Sequence, residues 1–173
     1  MNVTTDSLPF ADDAPDRVKV GVAEFAVATG DTLLTTSGLG SCVGVAVADP
    51  TASVAGLAHV MLPELPEGRG DPAKPAKAAA EGVERLLTAV ETAGGDPDTV
   101  EAKLAGGSRM FDFSGVGEGV GQRNIERVRE ALADRAVSVV GEDVGGTYGR
   151  SLELRPETWT LTVTSAHEEV VEL

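Results

Sequence analysis

The alternation of small apolar residues with polar turn residues predicts a chain rich in short strands. Runs of valine, alanine and leucine bounded by Gly, Pro, Asp or Ser are typical of buried strands. Such runs occupy 18–27, 33–36, 43–48, 54–58, 101–105, 136–140, 151–154 and 159–163. The last two predict a closing hairpin.

Two longer segments carry apolar residues at helical spacing instead. The first, 76–93, has them at positions 83, 86, 87 and 90 and ends before a pair of glycines. The second, 122–135, has them at 125, 128, 131 and 132. Polar residues 122–124 stand at its predicted start, where such side chains ordinarily cap and solvate a helix. Helices near the middle and strands at both ends predict an α+β sandwich with mixed, largely antiparallel sheets.

The chain of 173 residues has the length of one domain with an adequate core. We expect a flexible acidic tail over 1–16, a single domain over 17–165 and a C-terminal tail over 166–173. The first segment contains no long apolar run, so we expect no signal peptide. No later apolar run approaches the length of a membrane span. We therefore expect no membrane insertion.

The predicted hairpin over 43–58 brings the one cysteine of the chain, Cys42, near His59, one of two histidines. Residues 49–53 form a turn cluster, and a turn centred between Pro50 and Thr51 would place Cys42 directly opposite His59. Directly opposed residues have Cβ atoms about 4.5–5.5 Å apart. A longer loop would shift this register by a residue or two, and a one-residue slip would put the side chains on opposite faces.

A thiol beside an imidazole is the pair that a cysteine hydrolase needs, since the thiolate attacks and the imidazole handles the proton. The alternative is structural, because a lone buried cysteine also behaves as a small apolar residue. Gly38 and Gly40, just before Cys42, allow unusual backbone angles. A tight bend there would direct amide N–H groups at one point, as an oxyanion hole requires.

Several segments together resemble the signature blocks of the CheD family, the chemoreceptor glutamine deamidases of bacterial and archaeal chemotaxis. They are TSGLGSC at 36–42, AHVMLPE at 58–64, AGGSRMF at 105–111, GQRN at 121–124, and EDVGG at 142–146 followed by Gly149 and Arg150. The resemblance covers residues 18 to 165 in the same order and with similar spacing. It implies an α/β/β layered fold.

The resemblance also implies a catalytic triad. Cys42 would be the nucleophile, His59 the general base and later acid, and Thr36 the residue that orients the imidazole. The expected oxyanion and substrate-binding residues are Gly40, Ser41, Gly106, Gly107, Met110 and Phe111. Met110 and Phe111 are an apolar pair that would receive a receptor helix, although packing in the core explains them equally well. The resemblance also implies that Arg123 and Asn124 are structural supports near the site and not catalytic residues.

The reaction so implied converts a receptor glutamine to glutamate and ammonia through a cysteine thioester, with the pKa of the Cys42 thiol lowered by His59. No cofactor is expected, and one cysteine with two histidines is too few for a structural zinc site. Two alternatives stay open. The protein would be a module that binds and regulates the CheC phosphatase, with catalysis secondary or absent, or a cysteine amidase acting on a small amide.

Charge sets further limits on partners and surroundings. The chain has 28 acidic and 14 basic residues, a formal net charge of −14, which disfavours nucleic acid as a partner. Only Lys19, Lys74, Lys77 and Lys103 are lysines. This composition resembles proteins of salt-loving archaea, although an ordinary acidic mesophilic protein is the alternative. A single cysteine excludes an internal disulfide and fits a cytoplasmic location.

Overall fold

The computed structural model describes residues 14–109 and 119–173. Within them, the strands are β1 (Arg17–Lys19), β2 (Phe25–Thr29), β3 (Leu33–Leu39), β4 (Val43–Asp49), β5 (Val54–Val60), β6 (Glu101–Gly106), β7 (Ser138–Val144), β8 (Arg150–Arg155), β9 (Thr160–Ser165) and β10 (Val170–Glu172). Helix α1 (Ala79–Thr92) follows β5, and helix α2 (Val120–Asp134) follows β6. None of the helices in these residues is long and apolar enough to cross a membrane.

Two five-stranded sheets form the body of the protein. The outer sheet has the order β1-β3-β8-β9-β10, and the middle sheet has the order β2-β5-β4-β6-β7. One apolar core lies between the two sheets, and a second lies between the middle sheet and both helices. Both sheets contain mostly antiparallel pairs. The predicted α+β fold in α/β/β layers is therefore confirmed.

The predicted single strand over 18–27 is wrong. The chain turns between β1 and β2, with Ala23 in the left-handed region at φ 65°. The turn sends the two strands into different sheets, because β1 pairs with β3 and β2 pairs with β5. At the other end, residues 170–172, which the sequence placed in a tail, form β10 against β9.

The hairpin of β4 and β5 corrects the expected register. His59 lies opposite Gly44, not opposite Cys42, and Asp49 lies opposite Val54. The reversal therefore uses a four-residue loop, 50–53, in which Asp49 Oδ1 accepts the N–H and hydroxyl of Thr51. Since the shift from the expected register is two residues, it leaves the side-chain faces unchanged.

Asp49 also fixes the hairpin to the turn after α1. Its buried carboxylate accepts the Asp96 N–H at 2.8 Å through Oδ2, in addition to the two bonds from Thr51. These contacts, that of Asp96 first, lower the pKa of Asp49 to about 2. Because the folded pKa lies below the ordinary value of 3.8, the stability gained is present above about pH 4 and is lost as the pH falls towards 2.

We expect Asp49→Asn to lower the free energy of unfolding at pH 7 by about 1.5–3 kcal/mol, the usual cost of losing hydrogen bonds to a charged group. The difference from wild type should shrink between pH 4 and pH 2, as measured by urea unfolding. The exposed Asp98 supplies the control Asp98→Asn. A difference that stays constant down to pH 2 would contradict the assignment.

Candidate active site

Thr36 and His59 meet between the two sheets. Thr36 lies in β3 of the outer sheet and His59 in β5 of the middle sheet, and both are buried. Thr36 Oγ1 lies 2.8 Å from His59 Nδ1 and 2.8 Å from the Val20 carbonyl oxygen. The two side chains that the resemblance paired are therefore in direct contact, and their joint catalytic role stays a prediction.

The contact with Val20 determines the tautomer of His59. A threonine hydroxyl has one hydrogen, and a carbonyl oxygen can only accept, so Thr36 donates to Val20. Thr36 must then accept from His59, which places the ring hydrogen on Nδ1. The lone pair of the neutral ring is left on Nε2, the nitrogen that a general base uses.

Burial keeps this ring neutral. It lowers the pKa of His59 from 6.5 to about 4, because the charged form loses its hydration. Nε2 is buried and has no hydrogen-bond partner within residues 14–109 and 119–173. His59 therefore presents an unoccupied basic nitrogen at neutral pH.

Substitutions of Thr36 test whether its hydroxyl fixes the tautomer of His59. We expect Thr36→Val, which keeps the shape but removes the hydroxyl, to reduce turnover about 10- to 100-fold, the range found when other histidine-orienting partners are removed. Thr36→Ser should restore most of the activity because it keeps a hydroxyl. The measurement is kcat for the glutamine deamidation that the family resemblance implies. Thr35→Val, at the neighbouring position in β3, is the matched control, and an equal loss there would contradict the role.

Cys42 lies just before β4, partly exposed, and packs against the core between the sheets. It stands two positions before Gly44, the residue opposite His59, on the same face. Diagonal neighbours of this kind have Cβ atoms about 7–8 Å apart or somewhat less. The expected sulfur–imidazole hydrogen bond is absent, because Nε2 makes none with any described residue. Catalytic hydrogen bonds are often long in unliganded sites.

The expected lowering of the thiol pKa is wrong. Burial raises the pKa of Cys42 above its ordinary value, and its own backbone amide opposes the shift. With burial also lowering the pKa of His59, the resting pair is a neutral thiol and a neutral imidazole. Sequence reasoning missed this because the direction depends on how deeply both groups are buried.

The loop that carries Cys42 has its carbonyl groups tied to the rest of the protein. The Gly40 oxygen accepts the Ser108 N–H, and the Cys42 oxygen accepts the Gly107 N–H, both at 2.8 Å. The Ser41 oxygen accepts Asn124 Nδ2 at 2.9 Å. In the described part of the chain, the amide N–H of Ser41 donates to no other group, and that of Cys42 interacts only with its own sulfur. These two amides are therefore the donors beside the thiol that no other residue uses.

The predicted glycines have different tasks. Gly38 has the left-handed φ of 71°, whereas Gly40 does not have a positive φ. Gly106 has φ 103°, and a Cβ there would lie 2.5 Å from the Cys42 oxygen. The N–H groups of Gly40 and Gly107 are already bonded, to the Gly38 and Cys42 oxygens. Of the residues predicted to bind an oxyanion, Ser41 keeps a free donor.

Met110 and Phe111 lie outside the described residues. Asn124, expected to cap the helix or, from the family resemblance, to support the site, is fully buried and donates to the carbonyl oxygens of Ser41 and Met61. The signal was available, because Asn124 shares the buried side of α2 with Val128 and Leu132 at four-residue spacing.

Comparison with known proteins places the chain in a family. The family model described as "CheD chemotactic sensory transduction" matches residues 61–165, and the probable chemoreceptor glutamine deamidase CheD of Haloarcula marismortui is 47% identical over 159 residues, covering 92% of this chain and 91% of that protein. The chain belongs to the CheD family. The family model begins after Cys42 and His59, so its match does not include the candidate triad.

A second CheD relative comes from Halalkalibacterium halodurans. This protein, named chemoreceptor glutamine deamidase CheD, is 40% identical over 155 residues, covering 88% of this chain and 96% of that protein. Among solved structures, the hypothetical protein YfiH of Bacillus licheniformis is similar with a TM-score of 0.45 and 12% identity, covering 80% of this chain and 63% of that chain.

Proposed function

We propose that this protein is a chemoreceptor glutamine deamidase in which Cys42 is the nucleophile and His59 the general base. The observation that carries the proposal is the fixed tautomer of His59: Thr36 accepts from Nδ1, and Nε2 is left basic on the face that Cys42 shares. A purely structural histidine would be expected to satisfy both ring nitrogens when buried. The names of the CheD relatives supply the substrate class.

The acylation half of the reaction follows from these positions. As Cys42 Sγ bonds to the side-chain amide carbon of a glutamine, its proton passes to His59 Nε2, and the carbonyl π electrons move to oxygen. The N–H groups of Ser41 and Cys42 donate to this oxyanion. When the oxyanion collapses, the carbon–nitrogen bond breaks and Nε2 returns the proton to the leaving nitrogen. Ammonia and a thioester result.

The second half regenerates the enzyme. Water attacks the thioester carbon while His59 Nε2 takes a proton from it, and the carbon–sulfur bond then breaks. Cys42 regains its proton from His59, and the product is a glutamate side chain. Thr36 supports both halves, because the chain from Nδ1–H through its hydroxyl to the Val20 oxygen favours the positive charge that develops on the ring.

The neutral resting state of Cys42 and His59 affects the timing of proton transfer between them. Because burial opposes both the thiolate and the imidazolium, proton transfer is expected to accompany attack on a bound amide and not to precede it. The thiol should therefore react slowly with simple alkylating reagents at neutral pH, since the thiolate is the nucleophile.

We propose receptor cytoplasmic helices as substrates, a cytoplasmic location and a regulatory interaction with the CheC phosphatase, all of which follow from the family resemblance. The net charge of −14 supports an origin in high salt, where self-repulsion is screened within about 3 Å at 1 M. The test of the function is mass spectrometry of receptor fragments for conversion of glutamine to glutamate, carried out at high salt.

A further inference from the structure

The amide N–H groups that flank Cys42 are aimed by the carbonyl groups that precede them. A peptide bond is planar and trans, so the C=O of one residue and the N–H of the next point in opposite directions. A contact that holds the Ser41 oxygen on one side therefore holds the Cys42 N–H on the other. The Gly40 oxygen, bonded to the Ser108 N–H, sets the Ser41 N–H in the same way.

Asn124 holds the Ser41 oxygen from a rigid position. Its Nδ2 donates to the Ser41 oxygen at 2.9 Å and to the Met61 oxygen at 3.1 Å. Both amide hydrogens are thereby used, and the side chain is fully buried in α2. Met61 follows β5, the strand of His59, so one side chain ties the loop of the candidate nucleophile to the strand of the candidate base.

The burial of Asn124 is not favourable for packing alone. Its Oδ1 is buried without a hydrogen-bond partner in the described residues, and an unpaired buried acceptor destabilises the folded state. The neighbouring positions on the same side of α2, Ile125 and Val128, are apolar. An apolar residue at 124 would avoid that cost but would leave the Ser41 and Met61 oxygens without these donors.

We infer that Asn124 is a positioning residue, which orients the Cys42 N–H towards the oxyanion of the acylation step. The inference rests on the proposed function for its substrate but not for its test. Asn124 acts through the Ser41–Cys42 peptide and does not touch the reacting atoms. Its removal should impair reactions that form an oxyanion and leave other reactions of the thiol unchanged.

Two reactions of Cys42 separate these effects without a receptor. Acylation by p-nitrophenyl acetate passes through a tetrahedral oxyanion and releases p-nitrophenolate, whereas alkylation by iodoacetamide forms the carbon–sulfur bond with loss of iodide and forms no oxyanion. We expect Asn124→Ala to slow acylation about tenfold or more, up to the 10²–10³ that complete loss of an oxyanion donor costs, because the Cys42 N–H is still present but no longer held in place. Alkylation should keep its wild-type rate.

Matched variants control for packing and folding. Asn124→Leu has a similar size and no donors, so it should lose acylation as Asn124→Ala does while it keeps the volume of the side chain. Val128→Ala removes a fully buried side chain one turn further along α2 and should lower thermal stability without changing the ratio of the two rates. Circular dichroism and thermal unfolding establish that each variant is folded, and a variant that fails to fold is replaced in the comparison by the other Asn124 variant.

The inference is overturned by unchanged acylation in a folded Asn124 variant, or by acylation and alkylation falling by the same factor, which would mean that the thiol itself had moved. Failure of the wild type to be acylated above the Cys42→Ala background would also overturn it. Asn124-dependent acylation in an enzyme that converts no receptor glutamine would support the inference and contradict the proposed function.

Discussion

Replacing Cys42 with alanine is expected to abolish conversion of receptor glutamine to glutamate. Cys42 is the only cysteine in the chain, so no other thiol can replace it as nucleophile. Removal of the nucleophile from another covalent hydrolase costs on the order of 10⁶ in kcat, which puts the variant below detection. The measurement is mass spectrometry of receptor cytoplasmic fragments incubated with each protein at high salt.

Two controls make the result specific. Cys42→Ser keeps the size of the side chain but offers a hydroxyl, a far weaker nucleophile without a strong base, and should also be inactive. If the proposed interaction with CheC exists, a pull-down should recover CheC equally with the wild type and with Cys42→Ala, since a surface interaction does not require the thiol. Glutamine conversion equal to that of the wild type in the Cys42→Ala sample would remove Cys42 from the mechanism.

The sequence predicted the layers of the fold because the apolar residues that form them follow simple periods. Val83, Leu86 and Val90, chosen from helical spacing, are all fully buried in α1. The small apolar runs at 43–48 and 54–58 became β4 and β5, which are buried along their whole length. Patterns of this kind are local and are set by which face meets the core.

The failures occurred where backbone angles decide the structure. The apolar run at 18–27 contains a turn at Ala23, which has a left-handed φ. Alanine rarely adopts this conformation, so the residue type gives no sign of the turn. The register of the hairpin depended on the loop after Asp49, where Pro50 does not favour a two-residue turn. The actual loop is two residues longer than a tight turn, and it moves Gly44 into the place expected for Cys42.

The positions of the candidate site residues were predicted in part. The resemblance paired Thr36 with His59, and the two are in contact, whereas Cys42 shares a face of the hairpin with His59 without the expected hydrogen bond. The pKa of the Cys42 thiol was expected to be lowered and is raised instead, and the resemblance marked Asn124 only as a structural support near the site, without its contacts. Both depend on burial among residues distant in sequence, since Asn124 lies 83 positions from Ser41.

Replacing His59 with asparagine is expected to cause the second large loss of activity. The Nδ2 of an asparagine can occupy the place of ring Nδ1 and donate to Thr36, so His59→Asn removes Nε2 while keeping the contact of 2.8 Å available. Loss of general acid–base catalysis should lower kcat roughly 10²- to 10⁴-fold. His167→Asn, which changes the exposed second histidine, should leave kcat unchanged.

The same variant tests the low pKa of His59 through stability. The pKa of His59 in the folded protein is about 4, below the ordinary 6.5. Between these pH values, His59 therefore binds a proton in the unfolded chain but not in the folded protein. Stability is therefore full above pH 6.5 and falls as the pH drops to 4, by about 3 kcal/mol at 1.36 kcal/mol per pKa unit. Urea unfolding across this pH interval should show a smaller loss of the free energy of unfolding in His59→Asn than in the wild type or His167→Asn.

In the wild type, kcat/KM should fall on the acid side with a midpoint near pH 4 and not near 6.5. Equal loss of stability in all three proteins between pH 6.5 and pH 4 would show that the pKa of His59 is the same in the folded and the unfolded chain, which would contradict the lowering by burial.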